Sequence, residues 1–206
     1  MRAPLISALL FALPAAGAET GAECPTRSAL EAGESAYVTY PDSSIVALKW
    51  IGEGMVQETT RYPDGDGDFR MISMGGVFII DEVDMDGDRE MGPTRISTRY
   101  PPDMFDRVPL SPEQEFKVVA VNRFADGTES EEEYLSVQTG NTAEVMVGAC
   151  SYTAFPVLIT YRWQGGEFTS MLSHLPTLGL SVEMARIDEG TDPEPFAPHH
   201  FTLAHP

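Results

Sequence analysis

The most pointed chemistry in this chain lies in two short acidic loops. The run Asp81-Glu82-Val83-Asp84-Met85-Asp86-Gly87-Asp88-Arg89-Glu90 sets carboxylates at 82, 84 and 86 just ahead of Gly87. That is the spacing with which a D-x-D-x-D-G loop wraps oxygen ligands round calcium. Glu stands at its first position, however, and Pro93 where the bidentate glutamate belongs, so a complete EF-hand is excluded. Asp64, Asp66 and Asp68 alternate with Gly65 and Gly67 and form a second candidate loop. Glu82, Asp84, Asp86 and Asp88 with Asp64, Asp66 and Asp68 are therefore the candidate calcium ligands. If the loops are neighbours they can share one cation, which would relieve the like-charge crowding. The plain alternative is a pair of solvated acidic turns. A third acidic stretch, Asp126 to Glu133, has no ligand spacing and reads as a hairpin tip that discourages edge pairing.

Other chemistry is sparse. Histidine occurs only at 174, 199, 200 and 205, so a transition-metal site in the tail is the metal-delivery reading. The sequence has no HExxH, G-x-S-x-G or glycine-rich phosphate loop, and the chain is read as a non-enzyme, with a small hydrolase as the trailing alternative. Cys24 and Cys150 are the only cysteines, and they are expected to pair if the chain is exported.

Export is what the first residues indicate. Arg2, the apolar stretch Leu5 to Leu13, Pro14 and Ala16-Gly17-Ala18 make a signal peptide over residues 1–18, with cleavage before Glu19. The apolar run is too short to span a bilayer, and no membrane insertion is expected after cleavage. The expected compartment is the periplasm or the extracellular space, of a bacterium. Across 206 residues, 13 Lys and Arg stand against 32 Asp and Glu, a formal charge of −19. Such a field repels phosphates, which excludes nucleic acid as a partner.

The elements that must carry these loops are strands. Val157, Ile159, Tyr161 and Trp163 alternate with polar residues, as do Ile96, Thr98 and Tyr100, and Leu180, Val182 and Met184. This period of two predicts ten to twelve half-buried antiparallel strands, with helix limited to single turns near 28–31 and 111–114. Tyr-Pro-Asp at 40–42 and 62–64, and its variant at 100–103, read as strand-end turns.

The stretch Leu110-Ser111-Pro112-Glu113-Gln114-Glu115-Phe116-Lys117-Val118-Val119-Ala120-Val121-Asn122, followed by Tyr134 to Thr139, resembles the fibronectin type III signature. Upstream, Ser44 to Trp50 resembles that family's second strand with its core tryptophan. The resemblance covers residues 35–140 and implies an all-β, antiparallel β-sandwich of the fibronectin III or immunoglobulin-like kind. Trp50 would sit between the sheets and Phe116 at a corner, where the family usually has tyrosine. The family is a scaffold for protein or glycan contacts, so the implied partner is an unidentified protein or glycan. Around this unit the chain divides into an N-terminal segment (19–34), a C-terminal β extension (141–188) and an irregular tail (189–206). The resulting expectation is an exported binding or structural module, with a calcium-binding exported protein as the alternative.

Overall fold

The computed structural model of the chain describes residues 23–52 and 54–205, and the signal-peptide reading of 1–18 lies outside them. One short helix, α1 (Arg27–Glu31), opens the described chain, capped by the Thr26 hydroxyl on the Ala29 amide. Two 3-10 turns, Gly92–Thr94 and Pro102–Arg107, interrupt what is otherwise antiparallel strand and connecting loop, whereas 111–114 forms a plain turn and no helix. The first half holds β1 (Ala36–Thr39), β2 (Ile45–Gly52), β3 (Met55–Arg61), β4 (Phe69–Met74), β5 (Phe78–Asp86), β6 (Arg89–Glu90) and β7 (Ile96–Arg99). The long central pair is β8 (Glu115–Phe124) and β9 (Glu129–Thr139), followed by β10 (Ala143–Val147). β11 (Cys150–Trp163), β12 (Gly166–Leu175), β13 (Leu180–Asp188), β14 (Glu194–Pro195) and β15 (His200–Thr202) complete it.

These strands form one ladder in the order β14-β13-β12-β11-β9-β8-β7-β5-β4-β3-β2-β1-β15, with β6 and β10 as side branches. Successive strands of the path are neighbours, an up-and-down meander that curls on itself without closing. No crossover connection occurs within residues 35–140, unlike the Greek-key arrangement that the type III resemblance implies. The β8–β9 hairpin stands where that resemblance places it. Trp50 and Phe116, however, are only partly buried, each at the margin of a core. Residues 141–188 continue the same ladder, because β11 pairs with β9 from Val157↔Thr139 to Arg162↔Tyr134.

The tail differs most from its expectation. Residues 189–206 read as irregular, yet β14 pairs with β13 and β15 pairs with β1. Between those two strands, residues 196–199 carry the chain from one end of the ladder to the other, and the Phe196 amide donates to Met184 O while that of His199 donates to Thr39 O. Pro193, Pro195, Pro198 and Pro206 hid this, although Pro195 is tolerated because it sits in the edge strand. Beyond the crossing, the first and last strands share one core. Leu180 and Val182 of β13 pack with Ala36, Val38 and Leu48 of β1 and β2. Residues 180–182 are consequently buried on both faces.

The meander fixes which turns lie together. Turns alternate between two ends of the sheet, so 62–68, 87–95, 125–128, 164–165 and 189–193 share one end with the β1–β2 turn. Every acidic cluster of the sequence is at that end. The opposite end is packed shut. At Gly76 (φ +68°) a Cβ would come within 3.1 Å of the Ser181 amide, so the β4–β5 turn rests directly on β13. Gly148 (φ +58°) meets Phe201 N still more closely, at 2.9 Å for a Cβ.

Candidate functional site

Inward-facing positions change character along the strands. In β11 they pass from Val157 and Ile159, both fully buried, to Tyr161 and then to Trp163, which is 45% exposed. In β8 they run Val118, Ala120, Asn122, and in β9, read back from its end, Val137, Leu135, Glu133. β3 passes from Val56 to Glu58, Thr60 and then Tyr62. The half nearest the closed end is therefore an apolar core, and the half nearest the acidic turns is a chamber of about 780 Å³. Among its lining residues are eight aromatic rings and seven carboxylates, against one guanidinium, that of Arg186.

A register shift places that guanidinium. Met171 pairs with Ala185 and Leu172 with Glu183, leaving Met184 as the extra residue of a β-bulge. Side chains three apart on a regular strand point to opposite faces, but across this bulge Glu183 and Arg186 both face the chamber. They form a two-pronged ion pair, 2.6 Å from Arg186 Nη2 and 2.9 Å from Nε to Glu183 Oε2. The Ser170 hydroxyl donates to the other Glu183 oxygen at 3.0 Å. Arg186 also lies 4.7 Å over the Phe196 ring, which stacks on Tyr40 at 4.6 Å. A second bulge, at Ile80 between the pairs Ile72↔Asp81 and Ser73↔Ile79, lets Ile79 and Glu82 both face inward.

The other deep carboxylates have no such partner. Burial pushes Glu58 up to about 7; the hydrogen bond from Ser73, at 3.1 Å, pulls the other way and the nearby Glu183 adds to the rise. Burial likewise raises Glu82, with Asp84 and Asp81 adding to it, and raises Glu133 against a hydrogen bond from Asn122. The Tyr161 phenol is held well above its ordinary value by burial, then by the fields of Tyr100, Glu133, Glu183 and Glu58. Carboxylates from three separate strands thus act on one hydroxyl that lines the chamber.

The two acidic loops singled out from the sequence are indeed neighbours, with the Met85 amide donating to Asp68 O at 2.8 Å. The cation they share is Arg61. Its guanidinium reaches Asp68 at 3.0 Å and Asp88 at 2.9 Å, and also donates to the Gly87 carbonyl. Asp68 is buried and accepts in addition from the Tyr62 amide at 2.8 Å. Asp86 pairs with Arg89 at 2.7 Å, and Asp64 accepts from the Asp66 amide at 3.2 Å. Glu82 and Asp84 stand inside the β5 ladder and line the chamber instead of the loop. Next to them Arg70 and Arg95 both bridge Asp81 and Glu90. Among the described residues no group of three or more His, Cys, Asp or Glu is arranged to hold a metal ion. Replacing Arg61 by glutamine is expected to cost about 1–2 kcal/mol, since it strands the buried Asp68 carboxylate. Amide exchange at Tyr62 and Met85 should quicken in that variant; unchanged exchange would mean that each loop holds itself.

The histidines do not converge. His174 is buried against Phe155 at 5.0 Å with Nδ1 2.9 Å from Ser181 Oγ, His200 of β15 pairs with Thr39 of β1, and His205 meets the Tyr37 ring at 4.7 Å. The cysteines do pair: Cys24 and Cys150 form a disulfide, and no free cysteine occurs among the described residues. A smaller cavity of about 330 Å³ lies across β8, β9 and β11, with Arg107, Lys117, Tyr134 and Arg162 in its walls.

Sequence reasoning missed Glu58, Glu133, Glu183 and Arg186. The signal was there for Glu133, an acid on the same register as Leu135 and Val137, an inward position by simple alternation. For Arg186 no pattern of period two could have shown it.

No protein-family model matches the chain, and no curated protein matches it. A solved structure, the hypothetical lipoprotein YmcC from Escherichia coli (K12), is similar over 75% of this chain and 78% of that one, at 7% identity and a TM-score of 0.41. So loose a likeness carries no assignment. What the chain defines by its own geometry is a mostly β, antiparallel, unclosed curled sheet with a disulfide and a chamber at one end.

Proposed function

We propose that this is an exported, non-enzymatic binding protein whose chamber, at the acidic end of the curled sheet, takes a small ligand. The observation that carries the reading is the contrast within single strands, apolar core in one half and an aromatic, carboxylate-lined volume of about 780 Å³ in the other. That is within the size range of small-molecule sites, and rings with a few convergent polar groups are their usual lining. The Cys24–Cys150 bridge supports export, because such bridges persist in oxidising compartments. No helix of the described residues is long and apolar enough to cross a membrane. The overlap of the first strands with β13 through one shared core supports a sandwich-like packing of the curled sheet.

The neutral fluorescent dye N-phenylnaphthylamine tests the chamber without regard to charge. It is expected to brighten on binding the native protein, and to lose most of that signal when Thr98 or Met71, lining residues on two different strands, is replaced by tryptophan. Melting curves of both variants establish that they fold. Undiminished dye binding in two folded, filled variants would contradict the chamber reading.

A further inference from the structure

The chamber's entrance and its walls share one electrostatic sign. The up-and-down order brings the clusters at 64–68, 84–90, 126–133 and 188–194 to the same end, although they are far apart in sequence. Several of their cationic partners are already committed: Arg61 to Asp68 and Asp88, Arg89 to Asp86, and Arg99 to Glu129. Asp84, Asp188 and Glu194 are exposed lining residues of the chamber, as is Trp163. An opening ringed by one sign of charge, above low-dielectric walls, concentrates ions of the opposite sign.

Inside, the same preference continues by different means. Arg186 is fully engaged by Glu183 and by the Phe196 ring, so no lining cation faces Glu58, Glu82 or Glu133. Tyr161 presents a hydroxyl with no hydrogen-bond partner among the described residues. Tyr62, Phe69, Tyr100 and Phe168 line the remaining walls, and the faces of such rings attract cations. Acids gathered in a partly enclosed site without a counter-charge hold on to their protons, and a cationic ligand would supply the missing charge and favour their ionised form.

We propose that the chamber binds an organic cation, a protonated amine or quaternary ammonium. The ammonium would lie among the aromatic faces near Tyr161, with Glu58 and Glu133 as its counter-charges. Arg186 stands apart as the pin that holds Glu183 and the Phe196 crossing in place. This inference rests on the chamber reading and adds the ligand's charge to it.

Competition against the bound neutral dye separates the two ideas. Choline is the cationic probe, and dimethylbutanol, in which carbon replaces the ammonium nitrogen, is its neutral isostere. Choline is expected to displace the dye at a concentration at least about tenfold lower than the alcohol, about 1.4 kcal/mol of discrimination. In the double variant Glu58→Gln/Glu133→Gln, read as the ratio of the two displacing concentrations so that any change in dye affinity cancels, the two probes are expected to approach parity. Equal displacement by both probes from the native protein would overturn the cation proposal and leave the chamber standing. Unchanged discrimination in the double variant would overturn the assignment of the counter-charges. A native protein that never binds the dye would remove both readings.

Discussion

Removing the disulfide, by Cys24→Ser with Cys150→Ser, is expected to destabilise the protein by about 4–5 kcal/mol if the loop-entropy account holds, and by at least about 2 if native contacts absorb part of it. The bridge closes a loop with a sequence separation of 126, so the unfolded chain gains much freedom when it is cut. Its position makes the native consequences local. Residues 23–26 are held by the bridge, by the Leu203 amide on Glu23 O at 3.0 Å, and by the Tyr152 hydroxyl on Pro25 O at 2.9 Å. Cys150 also lies beside Phe201 of β15, with Sγ 3.4 Å from its carbonyl oxygen. The bridge thus staples the N-terminal segment, β11 and the last strand at one place. Urea melts should show a lower midpoint, and a thermal melt should shift down by roughly 4–20 °C for a chain of this size, the larger values if the loop-entropy account holds. A midpoint unchanged within error would mean that the contacts of 23–26 and 200–203 hold that corner without the covalent link.

Glu58→Gln is expected to make the protein more stable at pH 8, although it removes a charged residue that hydrogen-bonds to Ser73. The reasoning is one of proton linkage. In the folded chain Glu58 is pushed up to about 7, and its ordinary value is 4.5. Between those limits the folded state keeps a proton that the unfolded state releases, so stability falls as pH rises through that window. The full shift corresponds to about 3 kcal/mol, and screening by water in the chamber reduces this to about 2–3. Glu82 and Glu133 are raised too and act in the same direction. His174 acts in the opposite one. Burial holds it down at about 4 from 6.5, so its contribution is complete above pH 6.5 and is lost as pH falls toward 4. The native protein should therefore show a broad stability maximum in mildly acidic solution. Glu58→Gln should match it near pH 4 and exceed it at pH 8. A variant that is less stable at pH 8 would show that Glu58 has a compensating partner.

Much of the local structure could be read from the residues. Alternation such as Val157 to Trp163 identified strands, the Tyr-Pro-Asp copies fell at strand ends, and the cysteines paired. The acidic loops were found, and their adjacency entered only as a condition; the cation between them is Arg61, seven positions from Asp68 and twenty-six from Gly87. Nothing in local spacing marks that contact. The type III pattern at 110–139 is in essence an alternating hairpin after a proline turn, which a meander uses as readily as a sandwich does. Wrapping was the larger gap. That four acidic clusters lie together follows from strand order, and strand order depends on pairings that the sequence does not print. Bulges were equally hidden: Leu180, Val182 and Met184 look like one regular face, and it is the irregularity at Met184 that turns Arg186 inward beside Glu183.

Methyl NMR of the native protein titrated with N-phenylnaphthylamine tests the central claim most directly. Shifts are predicted for the methyls of Met71, Ile79, Ile96 and Leu172, which line the chamber, with Ile51 and Met146 on the exposed surface unmoved. Shifts confined to Val118, Val119 and Leu135, which line the smaller cavity beside Lys117, would place binding there and contradict the account.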